Sequence, residues 1–227
     1  MRPICLLWDI DGTLLNTRGA GVQPLEAAIG VEFNLKVQLE RGKYSGYTDF
    51  EIIADLTSTT IQDPIFAHRY ERVLDNYTLD LESALAQNPA VSIGQVKNVI
   101  SELNKVPGCT SFIGTGNYHA AALKKLESAG FSELFDSESI FGASVNRMQR
   151  PEIIKHAKES ISDQFQTIVI GDAPADIQAA RINELDVISV ATGHHKFDEL
   201  NRLNPGYVLD EGWSYPDFIC LLDSISS

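Results

Sequence analysis

The chain has 227 residues, 44% of them hydrophobic and 22% charged, which is enough to bury a substantial core as one large domain or two small ones. Its 18 basic and 31 acidic residues give a formal charge of -13, which disfavours nucleic acid or an anionic membrane as a partner. A small phosphorylated metabolite stays compatible with that balance, because local donors and a bound cation outweigh the net field at short range. No stretch approaches the roughly 20 apolar residues of a membrane span, and the first apolar run is too short and too acidic at its end for a signal peptide, so a soluble, cytoplasmic chain is expected. Cys5, Cys109 and Cys220 lack metal-like spacing and are expected to be ordinary buried thiols.

The first element is the apolar run Ile4-Cys5-Leu6-Leu7-Trp8, read as a strand buried on both faces. It delivers Asp9 and Asp11 at its carboxyl end, where ligands bind in an open α/β sheet, and Gly12 lets the backbone turn sharply. Helical spacing then begins near residue 19 with Val22, Leu25, Ala28 and Ile29, resumes near Asp49 with Ile52, Ile53 and Leu56, and runs from about Pro64 to Ala86. About 70 residues of helix interrupt an otherwise β/α chain, so residues 16-87 are expected to form an inserted all-helical domain, with residues 1-15 and 88-227 as the core. At the start of the second helix Thr48 or Asp49 suits an N-cap, with Glu51 favourable in the first turn.

From Ile93 onward strands and helices alternate. The strand Cys109 to Ile113 is expected to end in Gly114-Thr115-Gly116-Asn117, before a helix through Ala121, Leu123 and Leu126. Thr115 and the amides of Gly116 and Asn117 can hold a phosphate oxygen at such a junction, although Thr115 or Asn117 could equally cap the helix. Arg150-Pro151-Glu152 opens a further helix, with proline and an acid well placed in its first turn. The β-branched run Thr167 to Ile170 ends in Gly171-Asp172, and Asp176 follows one helical turn later, a spacing that can bring both acids to one edge of a cleft. A strand from Val187 to Ala191, a helix near Phe197, a strand at Tyr207 to Leu209 and a C-terminal helix complete an α/β fold: a Rossmann-like, mostly parallel sheet with helices on both faces.

The string Asp9-Ile10-Asp11-Gly12-Thr13, the Thr115-Gly116-Asn117 strand end, and Gly171-Asp172 followed by Asp176 resemble, in order, the motifs of the haloacid dehalogenase-like phosphohydrolase superfamily. The Gly46-Tyr47-Thr48-Asp49 turn is similar to that of its phosphoglycolate phosphatase-like branch. The resemblance implies that the helical insertion is a cap that closes over the active site, with hinges near Asn16 and Asn88-Pro89, and that Thr48 and Asp49 face the substrate. It implies Asp9 as nucleophile and Asp11 as general acid and base, with Thr115, Gly116, Asn117 and a cation on the phosphate. That cation is usually a lysine before the proline; here it is Arg150, with a different reach and a forked geometry. It implies Mg2+ held by Asp9, Asp172 and the Asp11 carbonyl, with Asp176 in support, which also resolves the repulsion of four converging acids.

The activity so implied is hydrolysis of a small phosphomonoester: phosphoglycolate-like, a sugar phosphate or a nucleotide. A β-phosphoglucomutase-like phosphotransferase would share every core residue, and a catalytically silent binding protein on the same scaffold is a further alternative. Asp11 argues against a dehalogenase, which lacks the second acid.

Overall fold

The structure, a computed structural model, describes residues 3–40, 42–210 and 213–225. Its sheet contains β1 (Ile4–Trp8), β4 (Cys109–Tyr118), β5 (Ile140–Ala143), β6 (Gln166–Gly171), β7 (Asp186–Val190) and β8 (Gly206–Leu209). The order is β5-β4-β1-β6-β7-β8 and every pairing is parallel. Chain order runs outward from β1 through β4 to β5, then returns to β6 on the other side of β1. This reversal opens a crevice at the carboxyl ends of the central strands.

All five residues of β1 are buried, and their alternation divides the core. Leu6 and Trp8 join the larger apolar cluster with Val99, Ile100 and Phe218, while Cys5 and Leu7 join a second with Ile154, Ala157, Ile177 and Ala180. The helices on these faces are α4 (Val96–Leu103), α5 (His119–Ser128), α6 (Arg150–Ser160), α7 (Pro174–Ile182), α8 (Phe197–Arg202) and α9 (Tyr215–Ile225). Among the described residues, no helix is long and apolar enough to cross a membrane.

Between β1 and the core helices lie α1 (Val22–Phe33), α2 (Asp49–Thr57) and α3 (Pro64–Gln87). Thr48 caps α2 in a reciprocal box with Glu51, and Asp63 caps α3 with Pro64 following it. Leu25, Ala28 and Ile29 of α1 are buried, as are Tyr70, Val73, Leu74, Tyr77 and Leu81 of α3. Such burial contributes about 1.5–3 kcal/mol for each large side chain. The segment leaves and rejoins the core through a short antiparallel ribbon, β2 (Leu15–Asn16) paired with β3 (Val91–Ser92).

Three sequence expectations need correction. The first helix begins at Val22 rather than residue 19, after turns at Arg18 and Gly19 with positive φ. The strand from Cys109 does not stop at Ile113 but continues through Thr115-Gly116-Asn117 to Tyr118, keeping its pairing with β5 across a register shift. Gly114 and Gly116 accommodate that irregularity, and α5 starts only at His119, so the Thr-Gly-Asn string lies within a strand and not at a helix start. Finally, only Cys5 is a fully buried thiol; Cys109 is half-buried and Cys220 is exposed on α9.

Candidate active site

Three carboxylates meet at the carboxyl edge of the central strands. Oxygens of Asp9, Asp172 and Asp176 all lie within 4.8 Å of one another, and the three residues are buried. Register accounts for the meeting. Trp8 pairs with Ile170 and the Asp9 amide donates to the Ile170 carbonyl at 2.8 Å, so Asp9 and Asp172 leave adjacent strands almost level. Asp176 is fixed in the first turn of α7, where it accepts from the Ala173 amide at 3.0 Å.

Among the described residues, Asp172 accepts one side-chain hydrogen bond, from the Thr13 hydroxyl at 3.2 Å. A β-carbon at Gly12 or Gly193 would overlap its carboxylate, and Gly12 also has a φ of +84°, so glycine is required there twice over. Burial, together with the charges of Asp9 and Asp176, pushes the Asp172 carboxyl well above the usual carboxylate range.

Arg150, the first residue of α6, is buried against this cluster. One guanidinium nitrogen lies 3.1 Å from Asp9 Oδ1 and the other donates to Asp176 Oδ1. Burial opposes its positive charge, and Asp176 and Asp9 more than offset that effect, so Arg150 stays protonated. Proline at the second helical position and Glu152 bonding back to the Gln149 amide at 3.0 Å fix where this helix begins, and with it where Arg150 points.

Asp11 stands apart from the three acids. Its Oδ2 accepts from Asn117 Nδ2 and from Lys125 Nζ, each at 2.7 Å. Asn117 Nδ2 also donates to the Thr115 hydroxyl oxygen at 2.8 Å, and Asn117 Oδ1 accepts from Lys125. Lys125 was not among the sequence candidates. Its signal was its place one turn after Ala121, on the apolar side of α5 beside Leu126, where a lysine has no reason to sit unless paired.

A cavity of about 730 Å³ opens above these groups, lined by Asp9, Asp11, Asn117, Lys125, Arg150 and Asp172 and roofed by the helical segment. Asp49 lines it too, held by the Tyr118 amide at 2.7 Å, and burial pushes its carboxyl upward. Thr48 does not line it: its hydroxyl accepts from the Glu51 amide at 3.1 Å and donates to the Met148 carbonyl at 2.5 Å. Thr115 is fully buried, and a β-carbon at Gly116 would meet the Tyr47 carbonyl oxygen at 2.9 Å, so the turn before α2 rests over this part of β4.

A doubly wound α/β sheet with a buried, cation-bridged acid cluster at its switch point defines an enzyme-like site built on carboxylate chemistry. The chain belongs to the haloacid dehalogenase-like hydrolase family, whose pattern it matches over residues 6–190. It is 25% identical over 214 residues to the protein named Probable phosphatase IndB of Dickeya dadantii (strain 3937), covering 92% of this chain and 90% of that one. In fold it is similar to a predicted phosphatase from Clostridium acetobutylicum (TM-score 0.71, 20% identity, 93% of this chain and 95% of that one). It is also similar to a variant of CbbY from Rhodobacter sphaeroides in complex with xylulose-(1,5)bisphosphate (TM-score 0.68, 15% identity, 91% and 93%). A third similar fold is a predicted phosphoglycolate phosphatase from Haemophilus somnus (TM-score 0.67, 16% identity, 98% and 99%).

Proposed function

We propose that the protein is a Mg2+-dependent phosphatase that hydrolyses a small phosphomonoester through an aspartyl phosphate on Asp9. The observation that carries this reading is the Asp9 carboxylate, buried at the floor of the cavity, held by one guanidinium and flanked by two further acids. The relatives named as phosphatases, and the xylulose bisphosphate bound to CbbY, support the choice of a phosphate ester.

The residues fit a hard divalent cation. The clustered donors are all oxygens, and the glycines at 12 and 193 leave the Asp172 carboxylate uncrowded. Arg150 and the Ala173 amide take up Asp176, which suits it to a supporting role; the ligands would be the Asp9 and Asp172 carboxylates and, as the family resemblance implies, the Asp11 carbonyl. A site with so few protein ligands suits Mg2+, which keeps several waters. When bound, the ion offsets the charge of the phosphate and of the converging acids.

In the first step an Asp9 oxygen attacks phosphorus, and the ester P–O bond breaks as Asp11 gives its proton to the leaving oxygen. Asp11, now a carboxylate, then takes a proton from a water whose oxygen attacks the same phosphorus. The bond to Asp9 breaks, which restores its carboxylate and releases inorganic phosphate. Arg150 orients Asp9 and, with Thr115 and the amides of Gly116 and Asn117, offsets charge on the transferring group. Residues 16-87 act as the cap: the Tyr47-Thr48 segment must lift from Gly116 to admit phosphate, and its return excludes bulk water.

The test is purified protein with Mg2+ and a panel of phosphoglycolate, sugar phosphates and nucleoside monophosphates. Phosphate release from at least one ester is expected, lost on adding EDTA and lost in Asp9→Asn with an unchanged circular dichroism spectrum. No release from any ester, or activity retained in Asp9→Asn, overturns the reading.

A further inference from the structure

We propose that Lys125 is a positioning residue for the reaction: it locks the Asp11 side chain so that a single oxygen, Oδ1, carries the proton to the leaving group. The inference rests on the phosphatase reading above but concerns a residue outside all its motif positions.

Lys125 is in the last turn of α5, 7% exposed, and its Nζ lies 2.7 Å from Asp11 Oδ2. Burying an ammonium group is costly unless it is paired and hydrogen-bonded, so this lysine is held there by its partners. Burial works against its charge, while Asp11, Tyr77 and Asp49 more than offset the penalty. In the last turn of a helix a lysine ordinarily points to water and complements the helix dipole. Lys125 instead turns inward to the cavity wall.

The hydrogen bonds around it fix the orientation of the Asn117 amide and the oxygen of Asp11 that is engaged. Asn117 Nδ2 has two protons, one for Asp11 Oδ2 at 2.7 Å and one for the Thr115 hydroxyl oxygen at 2.8 Å. Its Oδ1 accepts from Lys125. The opposite amide orientation would set oxygen against carboxylate and NH2 against ammonium, so the network has one self-consistent arrangement. Asp11 Oδ2 therefore accepts twice, from an amide and an ammonium, which fills both of its lone pairs. Oδ1 makes no hydrogen bond to another side chain among the described residues, and the Asp11 side chain is 41% exposed on the cavity. With Oδ2 so occupied, a proton on this carboxyl is directed to Oδ1, and Asp11 lines the cavity in which an ester would lie. The same chain of bonds reaches Thr115, so the group that binds phosphate and the group that protonates the leaving oxygen share one rigid frame.

This role differs from a structural one in what it protects. Protonation of the leaving oxygen matters for an alkyl phosphate, whose alkoxide is a poor leaving group, and matters little for an aryl phosphate such as 4-nitrophenyl phosphate. The parameter kcat/KM reports steps through the first irreversible one, so it isolates leaving-group departure from the later attack by water. Lys125→Met keeps the stem of the side chain and removes its charge and donors. It is expected to lower kcat/KM for glycerol phosphate at least ten times further than for 4-nitrophenyl phosphate, with Lys125→Arg restoring part of the difference. An equal fall for both esters, or no fall for either, overturns the proposal.

A crystal structure of Lys125→Met supplies a readout free of activity. Asp11 is expected to leave its Oδ2 contact with Asn117 while Asp9 and Arg150 stay in place; an unmoved Asp11 overturns the positional assignment. If wild-type protein releases phosphate from neither of these esters nor from any ester of the panel above, the phosphatase reading fails and the structural comparison still decides what Lys125 does to Asp11. Should Lys125→Met not fold, Lys125→Gln, which keeps a neutral donor, takes its place in both measurements.

Discussion

One guanidinium joins Arg150 to Asp9 and Asp176 at once: Nη2 lies 3.1 Å from Asp9 Oδ1 while Nη1 binds Asp176. A lysine could supply the charge but not the fork, because its ammonium is a point on a flexible stem. Arg150→Met leaves the buried acids without their counter-charge, which is expected to destabilise the fold by about 3–5 kcal/mol. Turnover should fall by about 10²–10³-fold, the scale for losing one group that stabilises developing charge. Arg150→Lys should lose less in both respects. Thermal melts and phosphate release on the two variants check this; equal losses would mean that charge at this position is not what the site uses.

The acid cluster makes metal binding visible in stability. Asp172→Asn removes one buried like charge and keeps an oxygen for the Thr13 hydroxyl. Metal-free Asp172→Asn is therefore expected to melt above metal-free wild type. Added Mg2+ should raise the wild-type melting temperature, with a gain of about 2.7 kcal/mol once the ion is at a hundred times its Kd, and should raise that of the variant far less. Scanning calorimetry with EDTA and with millimolar Mg2+ distinguishes the cases, and a metal response that is the same in both proteins would remove Asp172 from the ligand set.

The meeting of acids at this edge is legible in the sequence for a physical reason. A strand buried on both faces has no cause to end in Asp9 or Asp172 unless its carboxyl edge is used, and a β-branched run followed by glycine marks that edge. The unread parts depend on contacts far apart in sequence. Thr48 is recognisable as a cap, but the pairing of its hydroxyl with the Met148 carbonyl, 100 positions away, is not. A strand end after Ile113 is the natural reading of Gly114-Thr115-Gly116, since glycines usually break strands; β5 alongside keeps it paired to Tyr118. Lys125 falls on the apolar side of α5, which marks it as unusual without naming its partner. Only the fold brings Asp11, more than a hundred residues earlier, to meet it.

Acid titration should reveal the junction of α1 with α3. Glu32 accepts from Arg69 Nε at 2.9 Å and from Arg72 Nη2 at 2.6 Å, and these bonds, Arg72 foremost, lower its carboxyl from an ordinary 4.5 to about 2. A folded-state value below the unfolded one means stability that is fully present above about pH 4.5 and is lost as pH falls toward about 2. Because Arg72 is largely exposed, the contribution is about 1 kcal/mol. Glu32→Gln is expected to melt below wild type at pH 7 and to converge with it near pH 2. Parallel melting curves at every pH would contradict this assignment.

Gly46 tests what the seating of the turn before α2 on the carboxyl edge of the sheet does. Its φ is +82°, and a β-carbon there would meet the methyl groups of both Ala173 and Ala175 at 2.9 Å, where the end of β6 passes through Asp172 into the first turn of α7, which carries Asp176. Gly46→Ala thus combines a left-handed backbone, costing about 1–2 kcal/mol, with a steric wedge between the helical segment and the core. Gly94 provides the control: its φ is +46°, and nothing lies within 4 Å of a β-carbon built on it, so Gly94→Ala carries backbone strain without the wedge. If closure of residues 16-87 over the acids is part of turnover, Gly46→Ala should lower kcat/KM about tenfold or more. Gly94→Ala should lose comparable stability and keep its activity. Steady-state kinetics beside thermal melts on the two variants separate strain from obstruction, and equal kcat/KM values would show that the turn can ride above that edge without consequence for catalysis.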